Sequence, residues 1–166
     1  MGNDYELRLV DFTEEYAKDA CTWKYDDEYK VYNMPSWNEI YKSGWGMTKE
    51  EKRKKEFKAI LDKENKFIGY IRLMEKKDGV WFGVGIKPCF CGQGLGKVFM
   101  RFLIDESKMR YPQRKILLEV RDFNIRAIKC YKRAGFSEVD SYVKETPMGM
   151  GRFIKMELID VSEKNI

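Results

Sequence analysis

The chain has 166 residues, 43% hydrophobic and 14% aromatic, with 32 Lys and Arg against 27 Asp and Glu for a formal net charge of +5. That length can bury a core, and that apolar content excludes a disordered chain even though 36% of residues are charged. No run approaches the roughly 20 apolar residues that span a bilayer, and the charged run at residues 49–56 mixes signs, as an exposed helix does, where nucleic-acid binding would need a dense basic stripe.

No histidine occurs, which removes Ser-His and Cys-His nucleophilic chemistry and every histidine metal site. The four cysteines, Cys21, Cys89, Cys91 and Cys130, form no C-x-x-C unit, so no metal is expected. Residues 1–7 carry no basic region followed by an apolar run, and Glu6 stands where a myristoylation signal needs Ser or Thr. A cytoplasmic protein with reduced thiols is the expectation.

In chain order, Leu7, Leu9 and Phe12 alternate with polar residues and predict a first strand. Thr13 is placed to cap a helix running through Ala17. The aromatic stretch holding Trp23, Tyr25, Tyr29, Tyr32, Trp37, Tyr41 and Trp45 is broken by Pro35 and Gly44 into short helices and loops. Its rings serve either local packing or the wall of a substrate site. Residues 57–61 and 67–74 read as a hairpin, and Asp78-Gly79 turns into a strand over residues 80–86 that Pro88 ends.

From Leu95 the period changes: Leu95, Val98, Phe99, Phe102 and Leu103 form one stripe of a helix reaching about Met109. Residues 116–120, nearly all apolar, predict a strand in a sheet interior. Residues 125–134 predict a helix with Gly135 at its C-terminal cap, and residues 136–143 and 152–158 a closing pair of strands. The order makes one mixed α/β domain over residues 1–166.

Between strand and helix lies Cys91-Gly92-Gln93-Gly94-Leu95-Gly96. Glycines allow close backbone approach, and a helix start offers free N–H groups with partial positive charge, so the segment suits phosphates. It also suits a plain tight turn. The spacing fits neither the dinucleotide fingerprint G-x-G-x-x-G nor the phosphate loop G-x-x-x-x-G-K-[ST].

Pro88-x-x-Cys91-Gly92-Gln93-Gly94-Leu95-Gly96 resembles motif A of the GCN5-related N-acetyltransferases (GNAT). Leu118-Glu119-Val120, then Asn124-x-x-Ala127-Ile128-x-x-Tyr131, then Gly135-Phe136, resembles their motif B. Within the family, L-E-V-R-x-x-N is most similar to the ribosomal-protein N-terminal alanine acetyltransferases. The resemblance implies an α/β fold with a central, mostly antiparallel twisted sheet flanked by helices. It also implies acetyl-CoA as cosubstrate and an amine acceptor; the charge pattern and hydropathy leave out nucleic acid and membrane as partners, and a monomer or homodimer is expected.

By resemblance, backbone amides of Cys91, Gly92, Gln93, Gly94, Leu95 and Gly96 hold the coenzyme A pyrophosphate. Val84, Gly85 and Ile86 pair with the pantetheine arm, Asn124 bonds near the thioester, Tyr131 protonates the departing thiolate, and Glu119 is the general base. Cys91 stands where the family has Arg or Gln, a phosphate contact that Lys87 or Lys97 would replace. The bare strand face at Gly83 and Gly85 leaves space for pantetheine.

Read without the resemblance, these residues keep other roles. Glu119 interrupts an apolar strand and is either catalytic or paired with Lys or Arg at a sheet edge. Tyr131 can be a core residue, and Asn124 an N-cap. The rival functions are the same fold acting on a small metabolite, antibiotic or polyamine, and a non-catalytic coenzyme A-binding module.

Overall fold

The computed structural model describes residues 6–159, so the expectations drawn from Met1, Gly2, Asn3, Asp4 and Tyr5 lie outside the described residues. Seven strands form one sheet in the order β1-β2-β3-β4-β5-β7-β6. They are β1 (Arg8–Asp11), β2 (Phe57–Leu61), β3 (Phe67–Lys76), β4 (Gly79–Ile86), β5 (Ile116–Arg121), β6 (Phe136–Thr146) and β7 (Gly149–Leu158). The helices are α1 (Glu14–Ala20), α2 (Trp37–Lys42), α3 (Glu50–Glu56), α4 (Gly96–Arg110) and α5 (Ile125–Arg133). Among the described residues, no helix is long and apolar enough to cross a membrane.

The chain divides into two compact units. The first takes in Val84–Leu95 and the described part of Met1–Arg72; the second takes in Leu73–Gly83 and the described part of Gly96–Ile166.

In the first unit, Thr13 caps α1 by accepting from the Tyr16 amide, and Ser36 with Glu39 closes a full capping box on α2. Phe12, Ala17, Cys21, Ile40, Met47, Phe57 and Ala59 make the core. Three rings of the aromatic stretch serve packing: Trp23 is buried against Phe67 and Tyr70, and Trp37 and Trp45 pack on the core, while Tyr41 stays exposed. Helix α3 also departs from a plain solvated face, because Arg53 and Glu56 turn inward. Glu56 accepts from Arg72 Nε at 2.9 Å and Nη2 at 2.7 Å, and from Lys52 Nζ at 3.0 Å. Burial works to raise the Glu56 pKa, but these cations overcome it and hold the carboxyl below its ordinary value.

In the second unit, α4 buries Phe99, Met100, Leu103 and Ser107, while Val98 and Phe102 are only half-buried. The stripe is rotated toward Met100 relative to the one read from the sequence. Strand β5 buries Leu117 and Leu118 in succession, as a strand covered on both faces does. It pairs antiparallel with β7 from Leu117↔Glu157 to Arg121↔Phe153. Its parallel pairing with β4, among the described residues, comprises Val80↔Ile116 and Trp81↔Leu117. Helix α5 ends with Ala134 as C-cap and Gly135 at φ 104°, a conformation that favours glycine.

Candidate active site

The glycine-rich turn of the first unit begins where β4 ends. Val84, Gly85 and Ile86 are half-buried there. The Ile86 carbonyl accepts from the Tyr25 hydroxyl at 2.7 Å. Burial, above all, pushes the Tyr25 phenol well above its ordinary value. At Gly85 the strand face is not open: a Cβ there would sit 2.4 Å from the Tyr70 ring. The side-chain space expected for pantetheine at Gly85 is filled by that ring, and the glycine is explained by ring-on-backbone packing.

A short 3₁₀ turn, Pro88–Phe90, follows. The Cys91 thiol lies 3.7 Å from the carbonyls of Ile86 and of Lys87, turned back on the strand end. Gln93 Nε2 donates to the Cys89 carbonyl at 3.0 Å and braces the loop. Gly92 and Gly94 take φ of 77° and 75° and are exposed, whereas Leu95 is buried. Left-handed glycines at alternate positions are a backbone feature that anion-binding turns use. Lys87, expected to face phosphate, has its Nζ 3.3 Å from Asp19 Oδ2. Lys97, on the first turn of α4, is exposed.

In the second unit, Gly96 opens α4, and a Cβ on it would meet Cys130 Sγ at 2.7 Å. Its lack of a side chain lets α4 approach α5. Asn124 caps α5, its Oδ1 accepting from the Ala127 amide at 3.2 Å, as the capping reading held. Tyr131 lies seven residues on, about two turns along the same helix. Its half-buried ring meets Phe82 at 6.0 Å and Phe136 at 6.4 Å, both edge-on.

Glu119 lies on β5, inside the sheet and not at its edge. Its Oε2 accepts from the Tyr142 hydroxyl at 2.5 Å, and its Oε1 is ion-paired with Lys144 Nζ. Burial first, then the bond to Glu119, raises the Tyr142 phenol above its ordinary value. The pairing with a lysine is the one anticipated, but it reaches across β7. Tyr142 and Lys144 were not singled out from sequence, since two polar residues alternating on an exposed strand carry no signal of their own. Tyr25 appeared there only as one ring of the aromatic stretch.

The family model for the acetyltransferase (GNAT) family matches residues 10–136. The chain belongs to that family, and it is an acetyl-CoA-dependent N-acetyltransferase. No curated protein sequence matches it. Among solved structures it is similar to a chimera of the Vibrio cholerae spermidine N-acetyltransferase SpeG with hSSAT, at 19% identity and TM-score 0.72, covering 97% of this chain and 99% of that one. The V. cholerae spermidine N-acetyltransferase in complex with CoA and spermine gives 18% identity and TM-score 0.70, covering 96% and 99%. Its dodecameric form in an intermediate state gives 18% and 0.68, covering 96% and 97%. At these identities the likeness is one of fold, a mixed α/β GNAT fold with a seven-stranded sheet flanked by helices.

Proposed function

We propose that this acetyltransferase moves the acetyl group of acetyl-CoA onto a primary amine by direct attack in a ternary complex, without an acetyl-enzyme. The observation that carries the reading is the pair of left-handed glycines, Gly92 and Gly94, leading into the 15-residue helix α4. Amides of Cys91, Gly92, Gln93, Gly94, Leu95 and Gly96 hold the pyrophosphate, with Lys97 the nearby cation, and Val84, Gly85 and Ile86 offer backbone to the pantetheine arm. Asn124 serves beside the thioester in addition to capping α5.

The amine attacks as the neutral base, whereas a lysine-type amine has a pKa of about 10.4 and a chain α-amine about 7.7–8.0. Glu119 receives the proton that the amine gives up. The amine lone pair forms the C–N bond, the C–S bond breaks, and Tyr131 donates its phenolic proton to the leaving thiolate; the second proton of the attacking nitrogen passes back to the Tyr131 phenolate, so that the products are an amide and free coenzyme A with one proton left on Glu119.

A protein N-terminal amine is the acceptor favoured by the L-E-V-R-x-x-N stretch. A polyamine is the second reading, supported by the fold shared with spermidine N-acetyltransferases. The test is coenzyme A release from acetyl-CoA with a panel of an alanine-initiated peptide, spermidine, spermine and lysine. Release that depends on one class identifies it; no release with any primary amine removes the reading. The chain is proposed to act as a monomer or homodimer, which light scattering checks.

A further inference from the structure

Glu119 has an obvious counter-ion that it does not use. Lys155 stands directly opposite it on β7, and cross-strand neighbours of opposite charge ordinarily pair. The Lys155 ammonium instead lies 3.4 Å from Asp78 and 4.9 Å from the Trp81 ring centroid. The cation on Glu119 is supplied from one strand further away, by Lys144 of β6. Lys144 and Tyr142 share a face of β6, and they take one carboxylate oxygen each.

The two partners differ in how firmly they are held. The Tyr142 ring stacks on Phe153, centroids 6.4 Å apart and planes 24° from parallel, and Phe153 is itself buried. Tyr142 therefore fixes Glu119 Oε2. Lys144 is a flexible chain whose side chain is 40% exposed against 29% for Glu119, so water and a ligand can reach the pair. Its ammonium also lies 4.5 Å from the Phe153 ring centroid. It thus retains a favourable site when it leaves the carboxylate. A half-exposed ion pair of this kind is weak and exchangeable.

Resting on the reading that Glu119 receives the acceptor's proton, we infer that Lys144 is a resident competitor for the acceptor: its primary ammonium occupies the place on Glu119 Oε1 that the ammonium of the incoming amine takes over. Acceptor recognition is then an exchange of one alkylammonium for another on a carboxylate that Tyr142 keeps aimed. The acceptor class follows. It must present a charged primary amine to displace Lys144, and an amine that arrives neutral loses this contact. Lys144 acts as a specificity-determining residue and forms no bond in the reaction.

The inference predicts a gain where a structural role predicts a loss. Lys144→Met, with Lys144→Gln as a second variant in case Met impairs folding, should lower the acceptor KM roughly two- to five-fold, the range that a half-exposed ion pair spans. The KM for acetyl-CoA is the internal reference. Lys144→Arg keeps the cation and should keep the acceptor KM near wild type. The acceptor is the best substrate of the panel above. In a Glu119→Gln background, Lys144→Met should have no further effect. An acceptor KM that rises or stays unchanged in both Lys144→Met and Lys144→Gln overturns the inference, as does the same fall in the Glu119→Gln background. If Glu119→Gln lowers the rate while the Lys144 variants leave the acceptor KM unmoved, the inference alone falls. If Glu119→Gln matches wild type at every pH, the reading of Glu119 falls and takes the inference with it.

Discussion

The hydroxyl of Tyr25 donates to the carbonyl oxygen of Ile86 across 2.7 Å, which ties the aromatic N-terminal stretch to the last residue of β4. The bond satisfies a half-buried carbonyl at the point where the strand gives way to the glycine-rich turn. Tyr25→Phe keeps the ring and removes the donor. It should cost about 0.5–1.5 kcal/mol in urea unfolding, and it should weaken acetyl-CoA binding by loosening the entry to the turn. Unchanged stability would mean that water replaces the hydroxyl.

Gly96 and Cys130 set the approach of α4 to α5. In Gly96→Ala the new Cβ would lie 2.7 Å from Cys130 Sγ but 3.9 Å from Cys130 Cβ. The single variant should be destabilised by about 1–3 kcal/mol through overpacking. Gly96→Ala with Cys130→Ala removes the sulfur and should recover most of that loss. A double variant no more stable than Gly96→Ala alone would locate the strain elsewhere.

Much of this arrangement was legible in the sequence. The order of strands and helices, the Thr13 cap, the Asp78-Gly79 turn and the Asn124 cap all follow from local chemistry, in which a residue's neighbours decide its conformation. What was not legible depends on contacts distant along the chain. Gly85 looked like open space because nothing near it in sequence announces that Tyr70 fills it. The partner of Glu119 was anticipated in kind, a basic residue, but a charge 25 residues away on β6 leaves no periodic trace on β5. Residues 49–56 read as a solvated helix because every residue there is Lys, Arg or Glu; Arg72, which draws Glu56 inward, lies on β3.

The Glu56–Arg72 pair carries a pH dependence. Glu56 has a folded-state pKa below its ordinary 4.5. Its contribution to stability is therefore present above about pH 4.5 and is lost as pH falls through the lower folded value. Glu56→Ala leaves a guanidinium without its anion and should cost about 3 kcal/mol at pH 7, with a smaller difference from wild type at acid pH. Thermal melts from pH 3 to pH 7 check both. A difference constant across that range would show that packing, and not charge, is what Glu56 supplies.

Gly94 has no atom within 4 Å of where its Cβ would be, yet its φ is 75°. The demand there is conformational. Gly94→Val places a β-branched residue in the left-handed region and should distort the turn. Acetyl-CoA raises the melting temperature of the wild type by selective binding to the folded state, and that rise should be lost in the variant. A full rise in Gly94→Val would remove the turn from the cofactor's binding site.

The proton donated to the leaving thiolate is the most exposed point of the account, and kcat of Tyr131→Phe with saturating acceptor and acetyl-CoA tests it directly. The variant keeps the ring and its edge-on contacts with Phe82 and Phe136, so the fold is not at issue. General acid catalysis is typically worth about 10² to 10⁴ in rate. The expected result is a fall in kcat of roughly 10-fold or more with acetyl-CoA affinity nearly unchanged, the pattern of an interaction made in the transition state. Turnover at the wild-type rate would contradict it, making Tyr131 a packing residue and leaving the thiolate to take its proton from water.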